Sequence, residues 1–245
     1  MPLESAQTSP HPAIRNDLMA PKSTLHATRS GVLALSLLIW PTLAWPTPVS
    51  TTPIDIPGQF PDATLSSWKE RSFAGNTKYR LVEEDGVSVL RADTQNSASI
   101  LYREREIDLR RFPILEWSWK VAQVYSMIDE RSKAGDDFPA RVYVVARTGW
   151  LPWETLAINY VWASEAMVDE RWPNPFTEKA MMIAANTGAG GVGQWVRHRR
   201  DVRGDFKAAF GKQVDRISGY AVMVDGDNSN QDATAWFGDL AFLPR

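Results

Sequence analysis

The chain has 245 residues and a formal net charge of −2, with 44% apolar and 23% charged side chains. That is length enough for one sizeable core, and the charge balance carries no basic stripe of the kind that tracks nucleic acid. The absence of cysteine excludes disulfides, thiolate metal sites, a cysteine nucleophile and lipid attachment through an N-terminal cysteine.

Residues 1–44 read as a leader. Gly31 to Trp45 (GVLALSLLIWPTLAW) is the longest apolar run, Lys22 and Arg29 precede it, and Thr42-Leu43-Ala44 offers a small-x-small cleavage site. This order is that of a secretory signal peptide, and the run is too short and too proline-interrupted for a stable membrane span. Met19 makes a better start than Met1, because MAPKSTLHATRS is a normal charged region. Removal of residues 1–44 leaves 24 basic and 27 acidic residues, a net charge of −3, and His198 as the single histidine. The expected location is periplasmic or secreted.

Residues 45–64 are rich in proline and threonine and read as an exposed lead-in, followed by one domain over 65–245. Tyr79–Glu83 and Val87–Ala92 flank Glu84-Asp85-Gly86, a hairpin signal. Ser99–Arg103 alternates next. Ile114–Val121 (ILEWSWKV) places Leu115, Trp117, Trp119 and Val121 on one face and Glu116, Ser118 and Lys120 on the other. Arg141–Arg147 and Leu156–Ala163 are further strands, rich in β-branched and aromatic residues. Ala180–Asn186 is apolar on both faces, which predicts a central strand. Gln194–Val202, Ile217–Val224 and Thr234–Phe242 complete the set. One helix is expected, capped by Asp205, with Phe206, Ala209 and Phe210 on one face and Gly211 at its end. The fold class is therefore all-β: an antiparallel, jelly-roll-like β-sandwich with one short helix.

Four ordered segments carry a family likeness: Lys133–Val145 (KAGDDFPARVYVV), Asn159–Ala163 (NYVWA), Gly193–Val196 (GQWV) and Val222–Asn228 (VMVDGDN). Together they resemble the bacterial domain-of-unknown-function family 3047 over roughly residues 65–243. The family name implies no activity. The strand order and the ending ISGYAVMV…TAWFGDLAF are also similar to galactose-binding-like jelly rolls, many of which are non-catalytic carbohydrate-binding modules. Fold-level likeness does not fix function.

Several chemistries lack their residues. A His/Cys zinc site, HExxH and the G-x-S-x-G elbow are missing, and a serine triad would have to use His198 amid Arg197, Arg199 and Arg200. That basic run reads as a solvated strand end. Gly188–Gly193 matches G-x-G-x-x-G, but a strand pattern follows where a dinucleotide site needs a helix, so a hairpin loop is the expectation.

The acidic cluster Asp129, Glu130, Asp136 and Asp137 lies in a loop around Lys133 and Gly135. It suits either calcium or bonds to backbone amides and Arg141. A second cluster, Asp225, Asp227, Asn228 and Asp232, starts like a calcium loop but has Trp236 where the twelfth-position acid belongs; a hairpin loop with local Asx bonds is the alternative. Polar residues inside strands mark a candidate binding face: Glu116, Lys120, Arg141, Tyr143 and Asn159 share one sheet surface if their strands are neighbours. Trp117, Trp119, Trp162, Trp195 and Trp236 belong mostly to the core. Trp150, Trp153 and Trp172, in proline-bearing loops, either anchor those loops or stack on sugar rings. The leading functional expectation is an exported, non-catalytic module that binds a glycan or other envelope ligand. The alternatives are a carboxylate-based enzyme using Glu116, Asp136 or Asp137 on envelope polysaccharide, and a structural or interaction protein of the envelope.

Overall fold

Alternating apolar residues with period two demand two sheets closed over one core, and a computed structural model shows that arrangement. It describes residues 50–54 (as backbone), 59–149 and 154–245. The strands are β1 Ser50–Ile54, β2 Lys69–Ala74, β3 Lys78–Glu84, β4 Val87–Gln95, β5 Ala98–Asp108, β6 Ile114–Val121, β7 Arg141–Arg147, β8 Thr155–Ala163, β9 Arg171–Asn174, β10 Thr177–Thr187, β11 Trp195–Asp201, β12 Arg216–Asp225 and β13 Asp232–Leu243. The single α-helix is α1, Val202–Phe210. One sheet has the order β1-β11-β6-β13-β4-β3, and the other β2-β5-β12-β7-β8-β10-β9.

The alternation in β6 sets the core. Leu115, Trp117, Trp119 and Val121 are fully buried and face Val142, Val144, Ile158, Tyr160, Trp162 and Val222 of the opposite sheet. Trp117 stacks on Tyr160 at 5.0 Å and on His198 at 4.8 Å between centroids, and meets Trp119 edge-on at 5.4 Å. Each such pair contributes about 0.5–1.5 kcal/mol beyond the area it buries. Between β3 and β4, Asp85 (φ 52°) and Gly86 (φ 77°) form the two-residue hairpin turn that the Glu84-Asp85-Gly86 signal predicts.

Several local expectations change. Within the stretch read as a lead-in, Ser50–Ile54 forms a strand that pairs with β11 along the open edge of the six-stranded sheet, where Pro53 is tolerated. Phe60 is also buried, against Trp68 at 5.1 Å. Ala180–Asn186 lies in β10, which is next to last rather than central. After β8 the chain crosses to the sheet edge as β9 and returns as β10, so β10 runs parallel to β8, in a sandwich whose other pairs are antiparallel. Its outer face is apolar because Phe138 and Trp172 cover Met182 and Ala184, which also makes Trp172 a buried residue of β9 rather than of a loop.

Asp201, not Asp205, caps α1 by accepting from the Gly204 amide at 3.1 Å; Gly211 (φ 66°) ends the helix as expected. Asp205 turns inward and accepts from Arg200, Arg171 and the Tyr160 hydroxyl. The basic run is also not solvated as a whole, because strand alternation sends His198 and Arg200 into the protein. Arg200 is neutralised by Asp205 and by Asp169 at 2.6 Å. Gly188–Gly193 is a loop as expected, but it links the two sheets rather than closing a hairpin. No helix among the described residues is long and apolar enough to cross a membrane.

His198 Nε2 lies 2.6 Å from Asn186 Oδ1, which also accepts from Trp119 Nε1 at 2.7 Å, so the ring is a neutral donor there. Burial, reinforced by Arg200, lowers its pKa from 6.5 to about 3. The unfolded chain therefore binds the proton first, and stability falls as pH drops from 6.5 toward 3, by at most about 1.4 kcal/mol per pH unit from this group. Ring signals of His198 in NMR spectra should stay those of neutral imidazole well below pH 6.5; a midpoint near 6.5 in the folded protein would contradict the burial.

Candidate functional site

The outer face of the seven-stranded sheet collects polar residues in register. Asn159 on β8 pairs with Tyr143 on β7, Tyr143 with Ala221 on β12, Ala221 with Tyr102 on β5, and Tyr102 with Lys69 on β2. The next outward row is Val161, Arg141, Met223, Ile100 and Arg71. The residues between them, such as Val142, Tyr160 and Val222, point into the core. Around Tyr143 and Asn159, toward Arg141 and Met223, the surface sinks into a cleft of about 470 Å3. Asp136, Arg141, Tyr143, Asn159, Asn174, Met223, Asp225, Asp227 and Asn228 line it, with Phe73 and Phe176. Both phenylalanines are more than half exposed, which is costly for such side chains without a partner.

A buried ion pair organises the cleft. Arg141 and Asp225 are each about 2% exposed. The guanidinium donates from Nε to Asp225 Oδ1 at 2.7 Å and from Nη2 to Oδ2, and its Nη1 reaches Asp136 Oδ1 at 3.4 Å. The Asp136 carbonyl accepts from the same guanidinium, and Phe138 lies under it at 4.6 Å. Burial pushes Asp225 up to about 7, against the pull of Arg141, while its carboxylate neighbours hold Arg141 charged despite its own burial. Burial likewise raises Asp136 and Asp227. Tyr143 is held as a neutral phenol, raised by burial.

Two groups on the cleft floor lack adequate partners. Asn159 is 1% exposed, its Nδ2 meets only the Met182 sulfur at 3.2 Å, and its Oδ1 has no partner. Whichever way the amide is oriented, one strong polar end is left over. The Tyr143 hydroxyl donates only to the Met223 sulfur at 3.5 Å. Buried polar groups are almost always satisfied, so an unpartnered amide in the floor of a cleft points to an exogenous partner.

The sequence-predicted residues divide between the two sheets. Arg141, Tyr143, Asn159, Asp136 and Asp225 converge on this cleft. Glu116 and Lys120 do not, because β6 belongs to the six-stranded sheet. Glu116 sits 3.9 and 3.8 Å from Arg197 and Arg199, while Lys120 pairs with Glu84 and lies 4.4 and 5.3 Å from the rings of Trp236 and Trp195. Trp150 and Trp153 lie outside the described residues. Asn174, Phe73 and Phe176 escaped the sequence reading; the first and last stand in the proline-bearing RWPNPF run, which directed notice to its tryptophan.

The acidic loops bind backbone. Asp137 accepts from the Asn228 amide at 3.3 Å, from Asn228 Nδ2 at 3.1 Å and from the Ser229 amide at 2.5 Å. Glu130 accepts from the amides of Ser164, Glu165 and Ala166. Asp129 accepts from the Arg131 amide at 3.1 Å in a tight turn. One carboxyl oxygen from each of Asp137, Asp225 and Asp227 lies within 4.8 Å of the others, but Asp232 is not in this group and is exposed at the start of β13. Both Asp225 oxygens already hold Arg141, so the guanidinium stands where a calcium ion would draw its charge balance.

Residues 66–241 match the model of a family described as "Protein of unknown function (DUF3047)". No curated protein matches the chain. Among solved structures it is similar to CBM28, a carbohydrate-binding module specific for non-crystalline cellulose, at 12% identity and TM-score 0.40 over 78% of this chain and 95% of that one. A CBM4 structure matches at 12% identity and TM-score 0.34, over 73% and 95%. A loop-swap mutant of Necallimastix patriciarum Xyn11A matches at 7% identity and TM-score 0.36, over 73% and 92%.

Replacing Arg141 by Met strands Asp225 and Asp136 without their cation, and urea unfolding should show a loss of about 3–5 kcal/mol. Wild-type stability in that variant would contradict the role assigned to the pair.

Proposed function

The chain belongs to the DUF3047 family, whose description assigns no activity, and from the geometry of the cleft we propose that it is an extracytoplasmic module that binds a glycan without transforming it. The carrying observation is the under-bonded floor formed by Asn159 and Tyr143, set between exposed Phe73 and Phe176. Sugar rings offer both kinds of surface that such a floor lacks: hydroxyls for the amide and phenol, and apolar C–H faces for the phenylalanines. Asn174 Nδ2 donates to Asp136 Oδ2 at 2.8 Å, which fixes both side chains at the rim.

Binding without catalysis accords with the engagement of the carboxylates. Asp225 is held by Arg141, Asp137 by two amides, and Glu116 belongs to the other sheet. A second reading, carboxylate-based hydrolysis, draws on Asp136 and Asp227, two acids of raised pKa lining one cleft. Export follows from the leader sequence at 1–44.

A glycan array identifies the ligand, and calorimetry on Asn159→Ala then tests the site. Affinity should fall about tenfold, the worth of one good hydrogen bond, while thermal stability stays level because the lost amide had no oxygen partner to begin with. Unchanged affinity in both Asn159→Ala and Tyr143→Phe would remove the cleft from consideration. Release of shortened sugar, abolished by Asp136→Asn, would favour the hydrolytic reading.

A further inference from the structure

The cleft continues along the same sheet face. A second hollow, of about 590 Å3, shares Phe73 with the first and runs over the small residues Gly219 and Ala221. Its charge is one-sided. Four arginines line it, Arg71, Arg103, Arg105 and Arg147, against Glu104 and Glu106. The acids have partners: Glu104 with Lys69 at 2.5 Å and Glu106 with Arg216 at 3.7 Å. Arg103 is balanced by Asp62 at 2.7 Å. Arg71, Arg105 and Arg147 have no carboxylate partner among the described residues; Arg71 lies only over the Phe73 ring, at 5.3 Å.

Resting on the glycan reading of the adjoining cleft, we propose that the ligand is an acidic polysaccharide whose carboxylate or sulfate groups are held by Arg71, Arg105 and Arg147. These arginines belong to different strands, β2, β5 and β7, which span three strand spacings in the order β2-β5-β12-β7. That is about 14 Å at the usual interstrand spacing, wider than one small anion. They therefore meet successive charges along a polymer. Guanidinium groups bind carboxylates and sulfates through paired N–H donors, and separated cations on one face select for regularly spaced anions. The hollow also adjoins the sugar-sized floor at Tyr143 and Asn159, so one chain can lie across both.

The test is calorimetric titration of the purified protein with polygalacturonate, its carboxyl-reduced form, dextran sulfate and dextran. At least one charged polymer should bind tenfold or more tightly than its neutral counterpart, with affinity falling as salt rises. The double variant Arg71→Gln/Arg147→Gln, both exposed positions, should lose that preference while keeping its melting temperature. Equal binding of charged and neutral forms, a preference that survives the double substitution, or failure of both polyanions to bind would overturn the proposal. The underlying glycan reading fails separately, when Asn159→Ala and Tyr143→Phe leave the binding of every sugar unchanged.

Discussion

Arg141 and Asp225 lie on adjacent strands at the end of the seven-stranded sheet, both out of reach of water. A charge in that position is unstable alone, so each requires the other. The consequence spreads outward. Asp136 joins the guanidinium, Asn174 joins Asp136, and the Asp136 carbonyl is drawn in by the same cation. Asp137, the next residue, then fastens the loop after β12 by its amides at Asn228 and Ser229. Two loops far apart in sequence thus become one wall of the cleft. The strength of acceptor and donor placement here comes from local exclusion of water rather than from any motif.

The sandwich supplies the opposite wall and the floor. The tryptophans of β6 fill the space between sheets, which frees the outer face of β7, β8 and β12 from any duty in the core. On that face small residues sit beside tyrosine and asparagine, so a hollow forms where side chains of unequal size meet. The buried His198–Asn186–Trp119 contact and the Arg200–Asp205–Tyr160 contact pair most of the polar groups that strand alternation drives inward, His198 Nδ1 being left without a partner. Asn159 stands apart from both networks, in the cleft floor with its Oδ1 unpartnered.

Much of this was legible in the chain. Period-two patterning located β6, β7, β8 and β12 almost to the residue, and the Arg141, Tyr143 and Asn159 side chains do share a surface. Sheet membership was not legible. Glu116 and Lys120 alternate as clearly as Arg141 and Tyr143, and nothing local states that β6 joins the other sheet; that depends on pairing with β11 and β13, distant in sequence. The inward turn of His198 and Arg200 was hidden because charge suggested solvent, whereas strand phase and the partners Asp169 and Asp205 decided it. The arginine-lined hollow gave no signal at all, since its residues come from five separate strands.

The central claim is that ligand binding occurs on the seven-stranded sheet. Mapping amide chemical shifts of the labelled protein during titration with a bound glycan tests it most directly. Perturbations should concentrate in β5, β7, β8 and β12, around Tyr102, Tyr143, Asn159 and Met223. Perturbations concentrated in β6, β11 and β13, around Glu116 and Lys120, would contradict it.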